Sequence, residues 1–433
     1  MKKRELGSTG VKLSIVGLGG GQFAESDHTV QEIREIIKTA LSKGINYIDT
    51  AEDYGEQKIG EALQEVDKNY YISSKTFAKD KREAKEDIKN SLENLGQDQI
   101  DFYFIHNPMS VEDYKRRIDS GVLEALLEAR EEGLVKYIGV SCDYTEPLEL
   151  AIEEDIDVIM AHYNVGNTLS EEVIDKAHKK GIGVMAAKPF AGGILVDPET
   201  KLPGKQNDMT PEKALNFILS NKNVSTAIVG TRFPWQVEEC AEAVDSFKSL
   251  KDKKVSEIKE YVSNFLGDNF CRDCRYCMPV ETLGHDFDIP EVFRFLDRYE
   301  KYGYKLYGRV GFSKLDFKDK IDDLEELGED ELSCPFGIDI KKRLKTAKRE
   351  LDLTVSENKW LQEMKELRDQ VPKSEINTAK REIKSQNSDM IIDCIHSALI
   401  PEERLSRRFG VFLMEGIYSF GRDKVYEVLR VME

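Results

Sequence analysis

The sequence predicts an α/β chain: a closed (β/α)8 TIM barrel, then a small, mainly helical cysteine-bearing module and a helical C-terminal extension. Three observations lead there. Short apolar runs alternate with helical patterns eight times within about 250 residues, the length of one closed barrel. The residues that end those runs are polar and titratable, as expected at the functional mouth of a parallel barrel. After them come charged helical stretches and three cysteines packed between Cys271 and Cys277. The expected division is 1–250 for the barrel, 251–350 for the cysteine module and 351–433 for the extension.

The units follow one another in order. A Gly7–Gly10 turn precedes a strand over Leu13–Gly20, and a helix is expected over Val30–Ser42. Strand two is Tyr47–Thr50, with a helix near Lys58–Val66. Strand three is Tyr70–Ser74, with a helix over Arg82–Leu95. Strand four is Asp101–His106, with a helix near Leu123–Glu132. Strand five is Tyr137–Ser141, with a helix near Pro147–Ile152. Strand six is Asp157–Ala161, followed by Ser170–Lys180. Strand seven is Gly183–Ala187, followed by a long loop and Pro211–Asn221. Strand eight is Ser225–Gly230, followed by Trp235–Val244. An open doubly wound sheet would need a Gly-rich nucleotide fingerprint after its first strand. Gly17-Leu18-Gly19-Gly20-Gly21 does not match that pattern.

Composition narrows the function classes. The chain is 40% hydrophobic and 33% charged, with a net charge of −18. That charge argues against an extended surface for nucleic acid or anionic membrane. No apolar run reaches membrane-spanning length. The Met1-Lys2-Lys3-Arg4 start leads into no signal-peptide core, so a cytoplasmic location is expected. Seven cysteines is an odd number, and their clustering reads as metal-ligand usage in a reducing compartment.

The strand ends collect chemistry. Asp49 ends strand two and Tyr54 follows on its loop; Lys75 ends strand three and His106 strand four. An Asp and a Tyr facing such a mouth make a plausible acid–base pair, with the tyrosine as proton donor. A phenol with a pKa of about 10 is a poor donor unless its phenolate is stabilised. An adjacent ammonium supplies that stabilisation, and a carboxylate holds the ammonium charged and in place.

These residues lie within the blocks Asn46–Gly60, Ser73–Lys75, Ile105–Pro108, Tyr137–Ser141 and Val229–Thr231. Through them the first 244 residues or so resemble the aldo-keto reductase family. The resemblance implies a catalytic tetrad of Asp49, Tyr54, Lys75 and His106, with Tyr54 as proton donor and His106 orienting the substrate carbonyl. It implies hydride exchange between NADP(H), or NAD(H), and a small aldehyde, ketone or alcohol. The expected dinucleotide contacts are Gly19, Gly20, Gly21, Ser141, Asn164, Lys188, Gly230, Thr231, Arg232, Gln236 and Glu239. Two positions depart from the family pattern: Met160 stands where many members carry Gln, and Cys240 where many carry Asn. Arg232 is the candidate partner of a 2′-phosphate, with a solvated arginine as the alternative. The expected substrate loops are Gln22–His28, Asn107–Asp119 and Phe190–Asn207, the last with a Gly192-Gly193 hinge.

The second module carries Cys271-x2-Cys274-x2-Cys277, which is ferredoxin spacing, whereas structural zinc normally uses two separated pairs. Cys334-Pro335 resembles the end of a second ferredoxin run whose first three cysteines are missing. Asp288-Ile289 and Asp339-Ile340 look like matching repeat tails. This layout predicts one [4Fe-4S] cluster on Cys271, Cys274, Cys277 and Cys334, with Cys394 as the fallback ligand. A branch of the aldo-keto reductases carries such a module behind its barrel. A redox protein is the partner this implies. The alternative function is an electron-transfer or redox-sensing protein whose barrel only binds nucleotide. Residues 351–433 show no motif, and the sequence does not set the oligomeric state.

Overall fold

The computed structural model describes residues 1–24, 28–193, 195–196, 209–245, 247–278, 287–302, 305–313, 315–321 and 332–353. The expected cofactor and substrate loops fall partly outside these residues, at 25–27 and 197–208. Cys394 and the extension beyond 353 lie outside them altogether.

A two-stranded antiparallel hairpin opens the chain, β1 (Lys3–Glu5) and β2 (Lys12–Ser14). Eight parallel strands then close into a barrel. They are β3 (Val16–Gly19), β4 (Tyr47–Asp49), β5 (Tyr71–Thr76), β6 (Ile100–His106), β7 (Val135–Cys142), β8 (Val158–His162), β9 (Gly183–Ala187) and β10 (Thr226–Gly230), and β10 pairs back onto β3. The expected first strand, Leu13–Gly20, is therefore two strands. Its apolar run is continuous because Leu13 belongs to the hairpin while Val16 and Leu18 belong to the barrel.

The barrel interior is filled, not open. Tyr47, Phe102, Phe104, Val158, Met160, Met185 and Ile228 form one buried cluster with Leu6, Val11 and Leu13 of the hairpin. Burying each such side chain is worth about 1.5–3 kcal/mol. The hairpin reaches the start of β9, where a Cβ on Gly183 would lie 2.5 Å from the Leu6 side chain. The floor is thus plugged, and chemistry is left to the C-terminal strand ends.

Local signals account for the outer helices. Val30–Ser42 starts on a Thr29/Glu32 capping box and buries Ile33, Ile36, Ile37 and Ala40. Lys81–Leu95 is capped by Asp80, and Pro211–Ser220 by Thr210 with proline in its first turn. A helix stands where a substrate loop was expected. Val111–Asp119, capped by Ser110, occupies most of the segment read as a substrate loop.

By internal contacts the described residues divide into two compact units. The first holds the barrel up to Gly267 and takes in Arg272–Tyr276; the second holds Asp268–Cys271 and the described residues from Cys277 on. Within the second unit, helix Ile289–Asp297 is capped by Asp288 through Glu291 N, and helix Ile340–Leu351 by Asp339 through Lys342 N. The two expected repeat tails thus begin helices in the same way. Arg343 of the later helix bonds the buried Asp297 carboxylate at 2.5 Å, and the other Asp297 oxygen accepts the Cys271 N–H at 3.1 Å.

Candidate active site

Asp49 stands at the end of β4, two residues beyond the inward-facing Tyr47. It is 5% exposed and Lys75 is 1% exposed. The Lys75 ammonium lies 2.8 Å from each Asp49 oxygen and donates to Thr50 O at 2.7 Å. Asp49 Oδ1 also accepts the Ser73 hydroxyl at 2.8 Å and the Tyr47 hydroxyl at 3.3 Å. A buried ammonium is tolerable here because carboxylate and carbonyl surround it.

Tyr54 ends a 3-10 turn, Glu52–Tyr54, and Gly55 follows at φ 76°, a conformation glycine adopts without strain. The Lys75 ammonium sits 4.8 Å from the centre of the Tyr54 ring. The His106 ring meets it edge-on at 6.0 Å between centres. Phe77 stacks on His106 at 4.2 Å, and its backbone N–H donates to Glu52 at 3.0 Å, which ties the end of β5 to the turn carrying Tyr54. Burial, then the charges of Lys75, Arg117 and Lys188, hold His106 well below the usual imidazole range, so its ring is neutral. His106 Nδ1 is buried without a hydrogen-bond partner. Lys75, held by Asp49, and His106 are thus gathered around the Tyr54 ring.

The expected dinucleotide residues fare unequally. Gly20 N donates to Asp49 O at 2.7 Å, and a Cβ on Gly21 would lie 3.4 Å from the Tyr54 ring, so these glycines let β3 and its loop approach the site closely. Ser141, next to last in β7, pairs with His106 at the end of β6. Gly230 is an exposed glycine at the end of β10, and Thr231 next to it is 1% exposed with an unpartnered hydroxyl. An orphaned buried hydroxyl beside open backbone at a barrel mouth fits a ligand that brings its own polar groups. Gln236 turns inward on its own chain, accepting Arg232 N at 2.7 Å and Phe233 N at 3.3 Å, and the Arg232 Nε–H donates to Gln22 at 2.8 Å. Glu239 is exposed on helix Pro234–Asp245, whereas Cys240 is buried on the opposite side with Val237, Ala241 and Val244. Asn164 spends its amide within the protein, and Lys188 is paired with Asp143 at 3.0 Å and Asp273 at 3.2 Å.

Three residues near the site escaped the sequence reading: Phe77, Arg117 and Asp143. Phe77 follows Lys75 by two positions, so alternation along β5 points to it. Arg117 lies on the unexpected helix and donates to His106 O at 2.9 Å. Cys142, buried, donates to Pro108 O at 3.2 Å and accepts Tyr144 N, and burial pushes its thiol well above the usual range. It is a packing residue.

The six described cysteines are thiols and not disulfides. Among the described residues, no three or more His, Cys, Asp or Glu side chains are grouped to hold a metal ion. No described helix is long and apolar enough to cross a membrane.

A closed barrel whose mouth gathers a carboxylate, an ammonium, a phenol and a neutral imidazole defines a class, the carbonyl oxidoreductases built on parallel barrels. Comparison with known proteins narrows this. The model of the aldo/keto reductase family matches residues 15–214. L-galactose dehydrogenase of Arabidopsis thaliana is 30% identical over 293 residues, covering 57% of this chain and 89% of that protein. Methylglyoxal reductase DkgB of Salmonella typhi is 31% identical over 205 residues, covering 43% and 71%. The holo form of aldo-keto reductase AKR11C1 from Bacillus halodurans superposes with a TM-score of 0.52 at 26% identity, over 60% of this chain and 96% of that one. The chain belongs to the aldo/keto reductase family and is an NAD(P)H-dependent aldo-keto reductase.

Proposed function

We propose that this protein interconverts a small aldehyde or ketone with the corresponding alcohol, with Asp49, Tyr54, Lys75 and His106 as its catalytic residues. The observation that carries this reading is the Lys75 ammonium, held 2.8 Å from Asp49 and 4.8 Å from the centre of the Tyr54 ring. When bound, the reduced nicotinamide supplies a hydride to the carbonyl carbon. Tyr54 gives its phenolic proton to the carbonyl oxygen, which leaves an alcohol, a phenolate and the oxidised dinucleotide. Lys75 stabilises that phenolate, Asp49 keeps Lys75 in place, and solvent returns the proton. Neutral His106 donates a hydrogen bond to the carbonyl oxygen and orients it. Run backward, the same groups oxidise an alcohol. The names of the two relatives, an L-galactose dehydrogenase and a methylglyoxal reductase, point to small polar carbonyls and sugars as substrates to try.

Gly19–Gly21, Ser141, Gly230 and Thr231 are the residues proposed to hold the dinucleotide. Arg232 would favour NADP(H) if it leaves Gln22, and NAD(H) is the alternative. The test is Tyr54→Phe. Turnover should fall by about 10²–10⁴-fold, while NADPH binding by calorimetry stays unchanged. Wild-type turnover in that variant overturns the assignment.

Cysteine spacing alone supports the second half of the reading, one [4Fe-4S] cluster on Cys271, Cys274, Cys277 and Cys334 within a 251–350 module. Its proposed role is structural or facing a redox protein partner. No step of the carbonyl chemistry passes through it, because a hydride carries two electrons and such a cluster passes one. Iron and sulfide analysis after anaerobic purification decides this. A preparation without sulfide removes the cluster. Reduction of its spectrum by NADPH alone would favour the alternative, an electron-transfer protein whose barrel only binds nucleotide.

A further inference from the structure

The turn that carries Tyr54 is fastened by a carboxyl group that the four catalytic candidates do not use. Glu52 stands two residues before Tyr54 in the same 3-10 turn and is half-buried. Its Oε1 accepts the Phe77 backbone N–H at 3.0 Å, and the Phe77 ring stacks on His106 at 4.2 Å. Asp87, on helix Lys81–Leu95, accepts the Thr76 hydroxyl, whose oxygen in turn accepts Ala78 N at 2.8 Å. Glu52 and Asp87 therefore hold neighbouring residues of one short segment, where the chain leaves β5.

The two carboxyl groups are also hydrogen-bonded to each other. An ionised carboxylate only accepts, so two carboxyls bond only when one of them carries a proton. Burial, then the charges of Asp87 and of Asp53 on the same turn, push Glu52 up to about 7 against the Phe77 hydrogen bond. From β6, the Tyr103 phenol faces the same group; burial and then the charges of Glu56, Asp87 and Glu52 keep it neutral. Glu56 itself takes the Ser74 hydroxyl.

Loss of the shared proton leaves two like charges facing each other across this segment. The helix is fixed by its own packing, since it buries Ala84, Ile88 and Leu95. The turn Glu52–Tyr54 buries none of its residues, so the turn is the part that yields.

We propose that Glu52 is a positioning residue whose carboxyl, sharing one proton with Asp87, clamps the Tyr54 turn to the Phe77–His106 stack, and that loss of this proton moves Tyr54 away from His106. This rests on the reading of Tyr54 and His106 as catalytic. Two measurements on the full chain test it, at about pH 5.5 and about pH 8.5, on either side of the Glu52 value of about 7. The first is the NMR cross-relaxation peak between the Tyr54 and His106 rings, whose centres stand 6.0 Å apart. In the wild type it should be present at the lower pH and lost at the higher. In Glu52→Gln it should be present at both, because the amide accepts from Phe77 and donates to Asp87 whatever the pH. The second is kcat/KM for NADPH-dependent reduction of methylglyoxal, the probe aldehyde. The ratio of wild type to Glu52→Gln should fall about fivefold from the lower pH to the higher, with NADPH affinity unchanged. Asp87→Asn removes the facing charge from the other side and should behave as Glu52→Gln does. A wild-type peak equally strong at both pH values overturns the proposal. So does a peak that both variants lose at the higher pH, or a rate ratio that does not change with pH in either. Tyr54→Phe with wild-type turnover would instead overturn the catalytic reading itself, and this inference with it.

Discussion

Lys75 and Asp49 form a closed ion pair at 2.8 Å inside the barrel mouth, with side chains 1% and 7% exposed. Each charge is tolerated only because of the other. Lys75→Met should therefore lose stability as well as turnover, by about 3–5 kcal/mol, since Asp49 is left buried without its counter-charge. The double variant Lys75→Met/Asp49→Asn should regain much of that stability and none of the turnover. Urea midpoints with parallel activity assays check this. A double variant no more stable than Lys75→Met would mean the pair is not the source of the loss.

The barrel's register predicts a second effect. β7 pairs with β8 so closely at Gly139 that a Cβ there would lie 2.1 Å from Val158 O. Backbone cannot yield as a side-chain tip can. Gly139→Ala should cost at least about 1–3 kcal/mol, as for overpacking of a tight core. The control is Gly133→Ala, where nothing lies within 4 Å of an added Cβ and φ is 78°, so only the conformational cost remains. Equal losses in the two would deny the contact.

Much of this was legible beforehand, for reasons that can be named. The barrel strands are buried runs ending on titratable residues, so Asp49, Lys75 and His106 could be read from strand ends alone. What escaped needed register or context. All five residues of β8 are buried, so the sequence places His162 at a strand end but shows no alternation that orients its side chain. Helix Val111–Asp119 buries only Tyr114 and Arg117, too little apolar surface to show a helical stripe. Lys188 looked like an open cation at a strand end. Its partners, Asp143 and Asp273, lie 45 and 85 residues away in sequence, and no local pattern connects them.

Acid should destabilise the fold partly through His162. Its ordinary value of 6.5 falls to about 4 in the folded protein, through burial and the Lys188 charge. Between those pH values the unfolded chain binds the extra proton, so this contribution is intact above pH 6.5 and is lost as pH falls toward 4. At about 1.36 kcal/mol for each pH unit, the full effect is about 3 kcal/mol. His106 is displaced in the same direction. Urea midpoints of the wild type and His162→Gln should converge as pH falls from 7 to 4. Parallel curves would show that His162 takes no part.

The turn Arg272–Tyr276 is pinned to the barrel by three side chains. Asp273 pairs with Lys188 at 3.2 Å, Arg275 lies 3.9 Å from Asp143, and the Tyr276 hydroxyl donates to Glu146 at 2.8 Å and accepts Thr145 N at 3.0 Å. Tyr144 completes the joint, donating to Arg275 O at 3.0 Å and meeting the Tyr276 ring edge-on at 5.3 Å. Cys274 sits within this turn and is 6% exposed, so its access to solvent depends on the turn opening. Asp273→Asn removes the charge facing Lys188, which still has Asp143. The loss of about 1 kcal/mol should raise the iodoacetamide reaction rate of Cys274 about fivefold in the presence of a chelator. Cys142, buried behind Pro108, should stay unreactive and serves as the internal reference. Mass spectrometry of the alkylated peptides reads both rates at once. A Cys274 rate that does not move in Asp273→Asn would mean that this ion pair does not hold the turn down.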